Sequence, residues 1–295
     1  MSSAPTAPSP LREFAAGFAR DRIALGAFIV FCLILATAVF APLVSPQNPY
    51  NLAQLDILDS KLAPGARSVD GMTFWLGTDD QGRDMLSAIL YGLRISLGVG
   101  AVSTLAALAI GMAAGLIAGY AGGWLDALIM RIVDLQLSFP SILIALVLLA
   151  VLGQGVDKII VALITVQWAY YARTVRSSAL VEMRKEYVDA ARCLAFGTAR
   201  IIFRHILPNC LPPLIVVATV QVAHAIALEA TLSFLGLGMP ITSPSLGLLI
   251  SNGFTHLLSG KYWISFFPGA ALLVTIVTIN LVGDQLRDVL NPRFH

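Results

Sequence analysis

The side chains of this sequence that could carry chemistry are few and far apart. Glu229 is the one acidic residue embedded in a long apolar stretch, and a carboxylate in hydrocarbon is costly unless it faces a cavity or a partner. That makes it a functional candidate by default, near the outer end of its segment, with a structural hydrogen bond as the equal alternative. Asp79, Asp80 and Asp84 cluster around Gly82, which hints at calcium, but the spacing is not that of an EF-hand loop and no closing Glu follows. A structural turn is the better reading, and no metal site is expected. His205, His224, His256 and His295 are dispersed, and Cys32, Cys193 and Cys210 form no CxxC pair, so the cysteines read as small buried hydrophobes. The Gly260-Lys261 step is followed by Tyr262 and lacks the upstream glycine of a phosphate loop. The chain therefore has no catalytic residues to offer, is not expected to be an enzyme, and is expected to bind no cofactor of its own.

The elements that must position these residues are set by composition. Hydrophobic residues make up 57% of the 295, charged residues only 12%, and the mean hydropathy is +0.81. Ordinary soluble domains carry about 25% charge, so most of this surface must be wetted by lipid. The net charge of +2 is too small to suggest a nucleic-acid partner. A transmembrane helix needs ~20 apolar residues. Uncharged runs fall at Ile23 to Val44, Ile95 to Leu125, Leu135 to Val156, Ile159 to Ala172, Leu211 to Leu228 and Tyr262 to Gly283, which predicts an all-α membrane protein with six spans. The run from Ile159 is short for a span, so Lys158 and Arg173 must snorkel from its ends or the segment is re-entrant.

Orientation follows from Lys and Arg, which accumulate on the cytoplasmic side of short loops. An inside N-terminus places 13 of the 19 inside and makes both termini cytoplasmic. The resulting organisation is a cytoplasmic tail at 1–22 with a disordered Pro-rich opening, a first span at 23–44, an extracytoplasmic segment at 45–93, and a domain at 94–295 with five helices. In the outer segment, Thr78 or Asp79 is expected to cap the helix entering the second span.

Gly111, Gly115, Gly119 and Gly123 recur every four residues, which reads as a small-residue face for close helix packing. The longest inside stretch, 173–208, carries seven basic residues against Glu182, Glu186 and Asp189. Within it, Asp189-Ala190-Ala191-Arg192-Cys193-Leu194-Ala195-Phe196 reads as helix. Gly197-Thr198 reads as a break with a fresh N-cap, and Ala199 to Ile206 as a second helix ending at Leu207-Pro208-Asn209. Such a helix–turn–helix elbow, with its small face at Ala190 and Ala191, suits insertion into a partner's groove.

Asp189-Ala190-Ala191 followed by Leu207-Pro208 resembles the EAA loop of the membrane subunits of bacterial ABC importers. Three further stretches, Leu76-Gly-Thr-Asp-Asp-Gln-Gly-Arg-Asp84, Glu229-Ala-Thr-Leu-Ser-Phe-Leu-Gly-Leu-Gly238 and Leu286-Arg-Asp-Val-Leu-Asn-Pro-Arg293, look like the C-type permeases of dipeptide, oligopeptide and nickel importers. Two departures stand out: Asp189 where the family usually has Glu, and Ala195 where it usually has Gly, with Gly197 two places later, as if the turn were displaced. The resemblance implies the type I importer permease fold in the bacterial inner membrane. It also implies a homologous second permease, two ATPase subunits that bind ATP and Mg, and an extracytoplasmic substrate-binding protein as partners, besides membrane lipid. The docking loop would run over Asp189, Ala190, Ala191, Arg192, Leu194, Ala195, Phe196, Gly197 and Thr198, and Glu229 would lie on or beside the pathway. Peptides are the expected cargo, with nickel or another small solute as the alternative within the family. An ion-coupled secondary transporter is the competing class, and it lacks the internal repeats and intramembrane charges it would need.

Overall fold

The computed structural model describes residues 17–51, 55–68, 71–240, 242–243 and 245–290. The Pro-rich opening and the Asn291-Pro292-Arg293 end of the last motif lie outside the described residues. Helix α1 (Arg22–Val39) starts where the Asp21 carboxylate accepts from the backbone N–H of Ile23 and Ala24 at 2.8 and 3.2 Å. A single turn, Ala41–Val44, follows it with Pro42 in its first turn, so the first apolar run is broken at Phe40.

Helix α2 (Met85–Ala121) begins ten residues ahead of the uncharged run that located it. Its cap is Asp84, which accepts from Ser87 N–H at 2.8 Å, and neither Thr78 nor Asp79 serves. It ends at Gly122, which has φ +63°. Helices α3 (Gly123–Ser138) and α4 (Ser141–Leu152) meet at 91°, so the expected span from Leu135 to Val156 is not one helix. Pro140 is the reason, since the residue before a proline is pushed out of the helical region and the proline itself cannot donate.

Helix α5 (Val156–Glu182) is continuous for 27 residues, about 40 Å at 1.5 Å per residue, so the short run it contains is not re-entrant. Then come α6 (Glu186–Cys193), α7 (Thr198–Ile201), a π-helical stretch Ile202–Ile206, α8 (Leu207–Phe234), α9 (Leu246–Phe254) and α10 (Trp263–Leu290). A two-residue hairpin, β1 (Ala66–Arg67) against β2 (Thr73–Phe74), is the only sheet among the described residues.

Four stretches are long and apolar enough to cross a membrane: α1, α2, Thr198–Phe234 and α10. The bent α3–α4 pair makes a fifth if it counts as one span. Helix α5 falls outside that set because Asp157, Lys158, Arg173 and Arg176 flank its apolar part. By length and apolarity the described residues thus hold four or five candidate spans. Among the cysteines only Cys210 is buried; Cys32 on α1 and Cys193 on α6 are exposed, contrary to the expectation of burial.

Helices α2 and α5 run side by side in the same direction, with Gly111 against Trp168 and Tyr171, Gly115 against Ala172 and Val175, and Gly119 against Ala179. A methyl group on Gly115 would stand 2.8 Å from Val175 Cβ, closer than real side chains come. Gly123 does not belong to this face. It opens α3 with φ +57° and has nothing within 4 Å, because the two positive-φ glycines 122 and 123 turn the chain away. Helix α3 is fixed back onto α5 by Asp126, which takes Arg176 through two bonds of 2.5 and 2.6 Å, and by Gln136, which accepts from Trp168 Nε1 at 2.7 Å. Gln285 Nε2 of α10 donates to the Gly17 carbonyl at 3.2 Å, so the two described ends of the chain meet at one end of the bundle.

At the opposite end, the Leu76–Asp84 motif is a clasp. Asp79 accepts the backbone N–H groups of Gln81 and Arg83, both at 2.9 Å, and pairs with Arg83 Nε at 2.6 Å. Both side chains are buried. Thr78 accepts from Leu62 N–H at 2.7 Å while its carbonyl accepts Trp263 Nε1 at 3.1 Å, and Gln47 Oε1 accepts Asp84 N–H at 2.7 Å. Burial pushes the carboxyls of Asp79 and Asp84 above their ordinary values, against the opposing pull of Arg83 and Ser87 respectively. The acidic cluster therefore ties Gln47 and Leu62 to the starts of α2 and α10. Removing one partner of a buried ion pair costs about 3–5 kcal/mol, whereas replacing both with apolar residues costs far less. Asp79→Ala should accordingly lower the thermal midpoint of the detergent-solubilised protein sharply, and the double variant Asp79→Leu with Arg83→Met should recover most of the loss. Equal loss in both would show that the pair itself does not hold the clasp.

Candidate functional site

The elbow is built on α5. Glu186 and Asp189 lie in the first turn of α6 and Arg192 in its last, the charge order that complements a helix dipole. Val188 and Ala191, three residues apart, are buried and join Tyr171, Val175, Ala179, Ile201 and Ile206 in one apolar cluster. Ala191 is 3% exposed and faces the chain's own core, so it is not part of an outward small-residue face. The outward face carries Asp189, Ala190, Arg192 and Leu194, of which Leu194 is 67% exposed. Asp189 pairs with Arg192 at 3.1 Å across that face.

Helix α6 ends in a Schellman turn. Phe196 N–H reaches the Ala191 carbonyl at 3.1 Å and Ala195 N–H reaches Arg192 at 2.9 Å, with Ala195 itself at φ +53°. Gly197 is extended at φ −63°, so the turn is not displaced to Gly197. It stays at Ala195, with a side chain where glycine is the usual occupant. The next helix also departs from expectation. Thr198 makes no capping bond to the backbone and instead accepts from the Tyr120 hydroxyl at 3.3 Å. The helix does not end at Leu207-Pro208-Asn209 but runs through the π-helical stretch, where Leu207 N–H bonds the Ile202 carbonyl, into α8. A wider turn ahead of Pro208 gives the ring room that a regular α-turn denies it.

Tyr187, which sequence reasoning passed over, ties this elbow down together with Glu182, Lys185 and Asn209. The Tyr187 hydroxyl on α6 donates to Glu182 Oε2 at 2.6 Å and accepts from Asn209 Nδ2 of α8 at 3.2 Å. Lys185 holds the other Glu182 oxygen at 2.7 Å. Burial acts to raise the Glu182 carboxyl, yet the bonds from Lys185 and Tyr187 win and hold it below the usual range. Burial and the Glu182 charge push the Tyr187 hydroxyl up to about 12, so it remains a donor at neutral pH. A tyrosine five residues beyond a glutamate, across a helix break, was the signal available.

Glu229 is not brought to a cavity. It is fully buried, and its two oxygens accept from Ser96 of α2 and Ser233 of α8, each at 2.8 Å. With the Ser245 hydroxyl as a third partner, the carboxylate ties α2 to α8 and to the start of α9. An apolar cleft of about 370 Å³ near the start of α2, lined by Tyr50, Arg94, Ile95, Gly98 and Val156 among others, does not include it.

Residues 111–295 match the family described as binding-protein-dependent transport system inner membrane component, and residues 9–64 match the N-terminal TM domain of oligopeptide transport permease C. The chain is 38% identical to the Di/tripeptide transport system permease protein DppC of Pseudomonas aeruginosa, over 97% of this chain and 93% of that one. It is 41% identical to the Dipeptide transport system permease protein DppC of Escherichia coli K12, over 99% and 96%. Among solved structures, an inward-facing conformation of the MetNI methionine ABC transporter has the same fold with a TM-score of 0.58, 20% identity, and coverage of 70% of this chain and 98% of that one. An inner-membrane bundle, an elbow seated on one of its helices and matches along almost the whole sequence agree, and the chain belongs to the binding-protein-dependent inner-membrane permeases of ABC importers, in their C-type branch.

Proposed function

We propose that this chain forms half of the translocation pathway of an importer for di- or oligopeptides. It pairs with a homologous second permease, receives cargo from an extracytoplasmic binding protein, and is driven by two ATPase subunits that bind ATP and Mg. No cofactor or catalytic step is assigned to this chain. The cargo follows the relatives, whose names specify dipeptides and tripeptides.

The observation that carries the reading is the elbow. A short helix packed onto α5 through Val188 and Ala191, yet presenting an exposed Leu194 beside Asp189 and Arg192, is shaped to be gripped from outside and to pass that grip inward. The docking face is accordingly Asp189, Ala190, Arg192 and Leu194, with Ala195, Phe196, Gly197 and Thr198 as the turn that aims it.

In this reading α5 is the sixth span, crossing with Ile159 to Ala172 in hydrocarbon, with α3 packed along it from Arg176 to Trp168. Elbow and termini are cytoplasmic and the 45–93 segment is extracytoplasmic. The basic-residue asymmetry and the meeting of Gly17 with Gln285 support this.

Leu194→Asp should reach the membrane in normal amount but lose ATPase on affinity purification, since a carboxylate would enter an apolar contact unpaired. Ala191→Trp should instead reduce the amount of folded permease, because overpacking a buried site costs about 1–3 kcal/mol. Full ATPase retention by Leu194→Asp would remove the docking face from the elbow. Ala195→Gly should raise stability by about 1 kcal/mol by relieving a left-handed alanine, and Ala195→Val should lower it; opposite shifts in thermal midpoint would mean that the turn is not strained. Cysteines placed at Arg184 and Lys61 should be labelled by an impermeant reagent from opposite sides of the membrane, and labelling from one side would overturn the topology.

A further inference from the structure

The two spans that flank the elbow share an apolar cluster, Val175 and Ala179 of α5 with Cys210 and Leu214 of α8, and beside it they also meet through polar groups. An open cleft of about 320 Å³, lined by Ser177, Ser178, Val181 and Glu182 of α5 and Asn209 and Pro213 of α8, lies beside that contact, near the docking helix. Apolar contact through Val188 and Ala191 seats α6 against the bundle, but the drive behind it is non-directional and sets the register less sharply than a hydrogen bond does. Hydrogen bonds are directional and fix a register.

The bonds available lie at the edge of the cleft. Tyr187 on α6 reaches Glu182, the last residue of α5, at 2.6 Å, and Asn209, in the first turns of α8, at 3.2 Å. Asn209 is itself aimed by a second bond, from its Nδ2 to the His205 carbonyl at 2.7 Å, and the His205 ring stacks on Phe196 at 6.0 Å. A single phenol hydroxyl thus touches both spans from the helix between them.

We propose that Tyr187 is a positioning residue for energy coupling: by bridging Glu182 and Asn209 it makes α5, the docking helix and α8 one lever, so that displacement of the elbow moves both spans together. The proposal rests on the reading that ATPases dock at the elbow. It separates two functions of that segment, because the outward face grips the ATPase while the inward hydroxyl transmits the movement. Without the bridge the ATPase would still bind, but the elbow would rock on its apolar seat.

The test uses the full complex of both permeases, the ATPases and the binding protein in nanodiscs. Tyr187→Phe keeps the ring and removes the hydroxyl, Glu182→Ala removes the acceptor, and Glu182→Gln keeps an acceptor without the charge. Tyr187→Phe and Glu182→Ala should retain normal ATPase, while the ratio of hydrolysis with peptide-loaded binding protein to basal hydrolysis falls by about fivefold or more, the lower range of ordinary coupling effects. Glu182→Gln should stay close to wild type, and Tyr187→Phe with Glu182→Ala should be no worse than either alone, since both break one bridge. Asn209→Ala, on the far side of the bridge, should show the same fall and decides the matter if Tyr187→Phe does not accumulate. An unchanged ratio in these variants overturns the proposal, as does loss of ATPase from Tyr187→Phe, which would make Tyr187 part of the grip. Failure of the docking reading would show separately, as ATPase retained by Leu194→Asp.

Discussion

The structure depends on how closely α2 and α5 approach. In lipid there is no hydrophobic drive to push helices together, so association rests on close packing and a few polar bonds. Gly111 and Gly115 let the two backbones come near enough that a methyl group at either would collide with Tyr171 or Val175. Those two residues, with Ala179, also line the cluster that receives Val188, Ala191, Ile201 and Ile206. Helix α5 is therefore held by α2 on one side and carries the elbow on another. The seat of α6 thus depends on glycines of a different helix, through the α5 residues that both sides touch.

Much of this was legible in the sequence, and the misreadings have physical causes. Uncharged runs located the apolar segments because charge is what lipid excludes, but they are blind to direction, so Pro140 was absorbed into a span that it breaks at 91°. The four-residue glycine spacing continued to Gly123, although the adjacent Gly122 and Gly123, both at positive φ, end the helix first. Among Thr78, Asp79 and Asp84 any could cap a helix; only Asp84 stands where its carboxylate meets the Ser87 N–H, and the other two are taken by Leu62 and Arg83. The elbow was visible as a short helix between breaks. Its inward face was not, because Ala190 and Ala191 are equally small. The three-residue spacing of Val188 and Ala191 carried that information.

Two turns in the molecule solve the same problem differently. At the end of α8, Gly236 adopts φ +79°, with Gly236 N–H on Ser233 and Leu237 N–H on Leu232, both at 3.1 Å. At the end of α6 the same bonding pattern passes through Ala195 at φ +53°, a conformation that costs a non-glycine residue roughly 1–2 kcal/mol. Such strain persists only where the surroundings over-determine it. Here Phe196 is held beneath the Arg200 guanidinium, 4.5 Å from its centroid, and against His205. The aromatic stack fixes the chain after the turn, and Val188 and Ala191 fix it before, leaving Ala195 no other path.

The same logic extends along α8. Its outer part is clamped to α2 by the buried Glu229 through Ser96 and Ser233, and Gly100 of α2 presses against Ile226 below that clamp. Its inner end is continuous with the elbow through the π-helical stretch, followed closely by Pro208, Pro212 and Pro213. Each proline removes one rung of the helical ladder, and the π turn replaces regular bonds with wider ones, so the helix is softest just inside the elbow and stiffest near Glu229. A buried carboxylate satisfied by serine hydroxyls from both helices resists shear, because moving either span would remove one of its partners in a dry environment. The hydroxyl of Tyr187 meets α8 at that softer end, through Asn209.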